Sequence, residues 1–151
     1  MHPDHPFDDH RLPDPERHAE FYEGVPMKRA LAWVVDFILI ALVTAVIVPF
    51  TAFTALFFLP VLYLFVSFIY RVLTLWGSSA TPGMRLMNIT FLTRNGEPFD
   101  LAHALLHTFG YTLSVGTLLV QVASVFLMMI SARGQGLTDH VLGTVAINRP
   151  R

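Results

Sequence analysis

The feature that most constrains this chain is a run of apolar residues, 30–50, in which Asp36 is the only ionisable side chain. At a helical rise of about 1.5 Å per residue, this run reaches about 30 Å, the thickness of the hydrocarbon core of a membrane. A second run, residues 51–76, carries no charge until Arg71. We therefore predict two transmembrane helices that form a helical hairpin, with a tight turn at residues 49–52.

The composition also favours a membrane protein. Only 14% of the residues are charged and 54% are hydrophobic, whereas soluble domains carry about 25% charged residues. The chain has no Cys, which excludes disulfides, thiolate metal sites and cysteine nucleophiles. It also contains no phosphate-binding loop, metal-spaced His/Glu motif or serine nucleophile elbow. We therefore predict that the protein is not an enzyme and uses no cofactor, and the dispersed basic residues do not favour nucleic-acid binding.

Residues 1–25 are rich in Pro, His and Asp and are predicted to form a disordered cytoplasmic tail. His5, Asp8, Asp9 and His10 are chemically able to bind a divalent metal. Because nothing in such a segment would preorganise these ligands, we interpret it as a solvated tail and predict no metal site there.

The positions of the basic residues predict the orientation. Lys28 and Arg29 precede the first span, and Arg71, Arg85 and Arg94 lie at and after the end of the second. Cytoplasmic loops of membrane proteins carry an excess of Lys and Arg. We therefore predict a multi-pass protein of the cell membrane whose N-terminus and residues 77–100 are cytoplasmic.

A third apolar segment, residues 101–130, carries a regular stripe of small and polar residues. The stripe recurs at alternating intervals of four and three residues, so it lies on one face of a helix. Its members are His103, His107, Gly110, Ser114, Thr117, Gln121 and Ser124. This regular phase predicts one continuous helix, and small and polar residues typically mark a helix-packing face in membranes. A polar pathway is the alternative interpretation of the stripe.

The charges after this segment conflict with a third complete crossing. Three spans would place Arg133, Arg149 and Arg151 outside the cell, against the positive-inside rule. A re-entrant segment hinged near Gly110 or Gly116 would return them to the cytoplasm. We predict an all-α membrane domain over residues 26–148, with spans near 29–49, 53–76 and 107–130. A re-entrant segment, which returns the chain to the cytoplasm, remains the alternative to the third span.

The loop between the second and third segments has a different pattern. Thr81, Pro82 and Gly83 are turn-forming residues, residues 84–93 alternate partly between apolar and polar, and Asn95-Gly96 is typical of a hairpin turn. We predict a short cytoplasmic β-hairpin-like loop. Residues 143–147 resemble a further strand, and their pairing with residues 89–92 would support the returning path.

Asp36 is the most informative single residue, because a carboxylate at its depth costs a few kcal/mol unless it is paired, protonated or hydrated. Arg29 lies two helical turns earlier on the same face. Asp36 is therefore either a structural contact or an ion- or proton-binding acid. Near the C-terminus, Thr138, Asp139 and His140 form a second polar group, in which Thr138 or Asp139 is suited to cap a short helix.

Arg29, Asp36 and Asp139 together resemble the pattern of the RDD family of membrane proteins, which is named for one Arg and two Asp in this order. Residues 80–86, ATPGMRL, resemble the family's T-P-G-K-x-L loop, and residues 137–144 resemble its closing L-H-D-x-x-x-G-T element. Met84 stands where the family usually has Lys, and Thr138 and His140 replace the usual residues around Asp139. The resemblance implies a membrane domain, a polar site at the three namesake residues, and transport of an unidentified ligand or ion.

Two functions are carried forward. The first is transport by an oligomer, most concretely cation/proton exchange. In this mechanism Asp36 binds the cation or the proton, Arg29 adjusts the pKa of Asp36, and Asp139 is a second acid. The alternative is a non-enzymatic accessory or scaffold subunit of a larger membrane complex, in which the same residues are structural. His103 and His107 are spaced to bind a metal, but we interpret them as a stacked pair.

Overall fold

The computed structural model describes residues 12–150, and its first long helix is α1, Val25–Phe50. Pro26 lies in the first turn of α1, where its missing N–H leaves no bond unmade. The chain reverses over residues 51–53, where Ala52 and Phe53 adopt positive φ angles of 50° and 63°. The tight turn predicted at residues 49–52 therefore lies slightly later, because Pro49 is still helical.

The return helix completes the predicted hairpin. A short 3₁₀ helix, Thr54–Phe58, leads into α2, Leu59–Ser78, and Pro60 lies in the first turn of α2 rather than kinking it. The stretches Ala19–Phe50 and Thr54–Ser78 are each long and apolar enough to cross a membrane, with mean hydropathies of 2.7 and 2.1 over their best windows. Most of each window is exposed, which suits contact with lipid. The protein is an integral membrane protein.

The third apolar segment is bent, which corrects the prediction of one continuous helix. Helix α4, Leu101–Gly116, and helix α5, Leu118–Ile130, meet at an angle of 117°. Thr117 between them is extended, with φ −122° and ψ 98°. The break lies directly after Gly116, one of the two hinge positions named in the alternative. Apart from the exposed Thr117, the stripe residues are buried or half-buried on both arms. The Ser114 hydroxyl donates to Gln121 Oε1 across the bend at 2.9 Å.

A two-stranded antiparallel sheet joins the middle of the chain to its end. Strand β1, Ile89–Leu92, pairs with β2, Val145–Asn148, in the register Ile89↔Asn148 to Leu92↔Val145. Asn95-Gly96 forms a turn but no partner strand follows it, so the predicted local hairpin is replaced by this long-range pairing. The pairing confirms the expectation that residues 143–147 form a strand, and it supports the returning path.

Two short helices connect these elements. Helix α3, Pro82–Leu86, starts after Thr81, whose hydroxyl accepts the Met84 N–H, and it packs against α1. Helix α6, Leu137–Leu142, precedes β2 and packs against α4 and α5. Together α3, α6 and the sheet cover the end of the bundle at which α1 begins.

Residues 12–25 are folded, so the prediction of a disordered segment through residue 25 does not hold for them. A 3₁₀ helix, Ala19–Phe21, places Phe21 and Tyr22 in a small core with Leu92, Val145 and Ile147. The Tyr22 hydroxyl donates to the Pro13 carbonyl at 2.8 Å. Burial of these aromatic rings on the sheet orders the segment. The remaining tail interpretation, with His5, Asp8, Asp9 and His10, lies outside the described residues.

Candidate functional site

The first buried acid, Asp36, accepts hydrogen bonds from three neutral donors on two other elements. Its side chain lies on α1 and is 2% exposed. The Tyr70 hydroxyl and the Gly83 N–H donate to Oδ1 at 2.8 and 2.9 Å, and the Thr81 hydroxyl donates to Oδ2. Because Tyr70 lies on α2 and Gly83 on α3, this Asp36 cluster (Asp36, Tyr70, Thr81, Gly83) ties three segments together.

Gly83 explains why the Thr81-Pro82-Gly83 turn reaches Asp36. A Cβ atom at Gly83 would lie 2.2 Å from the Ala32 carbonyl oxygen and 2.9 Å from the Asp36 carboxyl carbon. Only glycine therefore allows the backbone N–H to approach the carboxylate. Each residue of the turn has a role: Thr81 caps α3 and donates to Asp36, Pro82 begins α3, and Gly83 permits the contact.

The second buried acid, Asp139, is bonded instead to a cation and a histidine. It lies on α6, outside the membrane-spanning helices, and is 1% exposed. Oδ2 accepts from Arg29 Nη1 at 2.6 Å and from the Gly136 N–H at 3.0 Å. Oδ1 lies 2.9 Å from His107 Nε2 and accepts the Thr144 hydroxyl at 3.0 Å. We name these five residues the Asp139 cluster.

The electrostatics of the Asp139 cluster follow from this geometry. Burial by itself raises the pKa of Asp139, but the charge of Arg29 and the contact with His107 outweigh it and hold that pKa below its ordinary value. Asp139 is therefore the anion that compensates Arg29. The Arg29 guanidinium also donates to the Gly134 carbonyl at 3.2 Å and lies 5.2 Å from the centre of the Phe91 ring.

The structure thus divides the three predicted residues between two clusters. Arg29 pairs with Asp139, which is 110 positions away in sequence, and makes no direct hydrogen bond to Asp36 within the described chain. Asp36 and Asp139 each have their own set of donors. The three residues nevertheless line one common cavity.

The two histidines predicted to stack also separate. His107 contacts Asp139 and packs against the rings of Phe91 and Phe99, with centroid distances of 4.4 and 5.5 Å. His103 Nδ1 lies 2.7 Å from the carboxylate of Asp100 at the exposed start of α4. Within residues 12–150, no group of three or more His, Asp or Glu side chains is placed to hold a metal ion.

The common cavity has a volume of 840 Å³ and lies between α1, α4, α5 and α6. Its walls are mainly apolar, and its polar lining includes Arg29, Asp36, Arg71, His107, Tyr111, Ser114, Gln121, Ser124, Thr138 and Asp139. Four members of the polar stripe, His107, Ser114, Gln121 and Ser124, therefore lie in one wall. A smaller adjoining cavity of 110 Å³ shares Trp33, Arg71 and Tyr111 with it.

Comparison with known proteins identifies the family. The model of the RDD family matches residues 24–143, most of the chain. The chain belongs to the RDD family. No curated protein and no solved structure matches it.

The departures of this RDD protein from the family pattern have structural consequences. Met84, where the family usually has Lys, is 5% exposed and packs in the main core, so this position contributes no charge. Thr138 closely approaches Gly110, where an added Cβ would lie 2.7 Å from the Thr138 methyl carbon. His140 Nδ1 lies 2.9 Å from the Gly136 carbonyl oxygen within α6. None of these three residues replaces Arg29, Asp36 or Asp139 in its contacts.

Several residues of the RDD site were not identified from the sequence. Tyr70 belongs to no motif, and the closing element that contains Thr144 did not reveal its bond to Asp139. Both contacts depend on how the chain segments are placed. The signal for Thr81 and Gly83 was present as turn chemistry, but it did not reveal that both residues donate to Asp36.

Proposed function

We propose that this RDD protein acts as a membrane transporter, rather than as an enzyme, and carries a small ligand through the cavity between α1 and the bent pair α4–α5. The observation that supports this proposal is the cavity itself. It has room for a ligand, is lined by all three namesake residues, and has four residues of the polar stripe along one wall. Apolar pockets with a few convergent polar groups are typical ligand sites.

The geometry favours a small ligand over cation/proton exchange. All four carboxylate oxygens of Asp36 and Asp139 already take part in hydrogen bonds within the protein. A metal cation would have to displace these donors, and it would also approach Arg29 and Arg71. Like charges repel most strongly where water is excluded. Transport of a ligand that carries negative charge avoids both costs.

We further propose that the working form is an oligomer. The described chain supplies two helices able to cross a membrane, or three if the bent pair counts as one. A second copy is needed to complete the walls of a path across the bilayer, and most oligomers are symmetric assemblies of identical chains.

We also propose a cell-membrane location with both ends in the cytoplasm. Lys28 Nζ donates to Asn148 Oδ1 at 2.6 Å, so β2 lies at the end where α1 begins. Arg133 precedes Gly134, whose carbonyl accepts from Arg29, and is therefore at the same end. This arrangement satisfies the positive-inside rule. A reporter fused after Arg151 should be active in its cytoplasmic form, and an external reporter signal would contradict the orientation.

Flux through proteoliposomes tests the transport proposal. Two probes distinguish the kinds of transport. Dithionite protection of NBD-labelled phosphatidylglycerol reports movement of a lipid-like ligand. The dye pyranine under a sodium or potassium gradient reports proton-coupled ion exchange. We expect movement of the first probe. Ser114→Phe, which fills the cavity, should reduce it several-fold, whereas Leu113→Phe on the exposed face should not. Absence of flux with both probes would refute transport.

The accessory or scaffold function remains a second candidate because both acids are fully engaged in joining elements of the fold. Such a subunit would present the sheet end to a partner. Asp36→Asn should then lower accumulation of the protein or recovery of its complex without any effect on flux. A variant that accumulates normally and retains its partners would argue against this function.

A further inference from the structure

In the part of the chain that the structure describes, Arg71 is a buried cation without an acidic partner. It lies on α2 and is 9% exposed, and its Nε atom is buried without a hydrogen-bond acceptor. Its guanidinium carbon lies 3.8 Å from the centre of the Tyr111 ring. No ion pair or hydrogen bond of the Arg71 guanidinium occurs within residues 12–150. Arg29 has a different environment, because Asp139 compensates its charge.

Physical chemistry requires an anion near such a group. A charged side chain within a membrane span is costly and faces a partner or a cavity. The face of an aromatic ring supplies part of the compensation for Arg71, but it leaves the donors of the guanidinium edge free. Guanidinium groups bind phosphate and carboxylate oxygens through paired N–H donors. The missing partner of Arg71 is therefore an oxyanion.

The cavities define where this oxyanion would lie. Arg71 lines both cavities, and so do Trp33 and Tyr111, which join α1 to α4 through a hydrogen bond of 2.7 Å between Trp33 Nε1 and the Tyr111 hydroxyl. Val34 and Met129 line the larger cavity and are also exposed on the apolar surface of the bundle. An acyl chain therefore has direct access from the surrounding lipid.

We propose that Arg71 binds the phosphate of an anionic phospholipid, whose head group occupies the cavity while its acyl chains remain in the bilayer. A zwitterionic lipid fits less well, because its ammonium group would need an acid, and the oxygens of Asp36 and Asp139 are already occupied. This inference rests on the proposed function, since it names the class of ligand that the cavity would carry.

The test measures lipid selectivity at equilibrium with Trp33 as the reporter. The chain has two Trp residues, so the full-length Trp76→Phe variant leaves Trp33 alone beside the cavity. It is reconstituted with brominated phosphatidylglycerol or brominated phosphatidylethanolamine, which quench a nearby indole. We expect phosphatidylglycerol to be preferred about tenfold, the gain typical of one charge-assisted hydrogen-bonded contact. The preference should persist in 0.5 M salt, because a buried pair is only weakly screened.

Two further variants in this background assign the preference to Arg71. Arg71→Gln should abolish it, whereas Arg85→Gln should retain it, because Arg85 is exposed and bonds to Ser78 outside the cavity. Equal quenching by both lipids in the Trp76→Phe protein would refute the proposal, even if Arg71→Gln failed to fold. Loss of the preference in high salt or in Arg85→Gln would also refute it. If phosphatidylglycerol were preferred but the proteoliposomes showed no flux, only the transport proposal would be contradicted. If flux occurred without a lipid preference, only the proposed lipid site would be contradicted.

Discussion

The Asp36 and Asp139 clusters satisfy buried carboxylates in opposite ways. Among the described residues, Asp36 accepts only from neutral donors, namely two hydroxyls and one backbone N–H. Asp139 is paired with the Arg29 cation and the His107 ring. Removing a neutral donor leaves one hydrogen bond unmade, but removing one ion leaves an uncompensated buried charge. The two acids of the same family pattern should therefore differ in how much stability depends on them.

The comparison also separates what each cluster joins. The Asp36 cluster connects α1 to its neighbours in sequence, α2 and α3. The Asp139 cluster connects α1 and α4 to the C-terminal elements, through Arg29, His107 and Thr144. One cluster closes the hairpin, and the other fixes the returning end of the chain against it.

The largest effect is expected for Asp139→Asn. The substitution leaves Arg29 without its counterion and should lower the free energy of unfolding by about 3–5 kcal/mol. Thermal and denaturant unfolding in detergent measures this loss. Arg29→Gln should be similarly harmful, and the double variant should lose clearly less than the sum of the two single losses. Strict additivity would show that the ion pair is not the source of the effect.

Gly83→Ala should be the next most harmful substitution. Its Cβ would lie 2.2 Å from the Ala32 carbonyl oxygen, so α3 must move away from α1 and weaken the Asp36 cluster. We expect a loss of about 2–3 kcal/mol in the free energy of unfolding, as for an overpacked site. Gly77→Ala is the matched control, because a Cβ there meets nothing within 4 Å. If both variants unfolded alike, the close approach would not matter.

Asp36→Asn tests the comparison directly. Asn presents one acceptor oxygen instead of two, so at least one of the three donors loses its bond, at a cost of about 1–3 kcal/mol. The loss should be smaller than in Asp139→Asn, because no cation is left unpaired. Asp100→Asn serves as a control, since an exposed N-cap accepts either residue. Equal losses at Asp36 and Asp139 would contradict the difference between the clusters.

The smallest expected effect is the change with pH, near neutrality, in what Asp139 contributes to the free energy of unfolding. Because Arg29 and His107 hold the pKa of Asp139 below its ordinary value of about 4, the acid stabilises the fold fully above that pH. The contribution declines as pH falls toward the lowered pKa of the folded state. The stability difference between the native chain and Asp139→Asn should therefore stay constant from about pH 7 to pH 5 and shrink below about pH 4. A difference that grew on acidification would reverse the expected sign.

The sequence predicted the parts of the fold that depend on local composition. The spans of α1 and α2, the turn between them and the strand at residues 89–92 were all visible as apolar runs or alternation. The bend at Thr117 was not, because a stripe that faces inward on both arms has the same periodicity as one on a straight helix. Only the conflict between the stripe and the later Arg residues indicated that the chain returns.

The sequence by itself determined that this protein is embedded in a membrane and that Arg29, Asp36 and Asp139 are its unusual polar residues. The charge of all three residues and the depth of Asp36 in an apolar segment are local properties. Tertiary structure alone decided that Arg29 pairs with Asp139 rather than with Asp36, because that contact needs α6 to return beside the start of α1. It also decided that Arg71 has no acid beside it within residues 12–150, since pairing depends on distances that the order of residues does not contain.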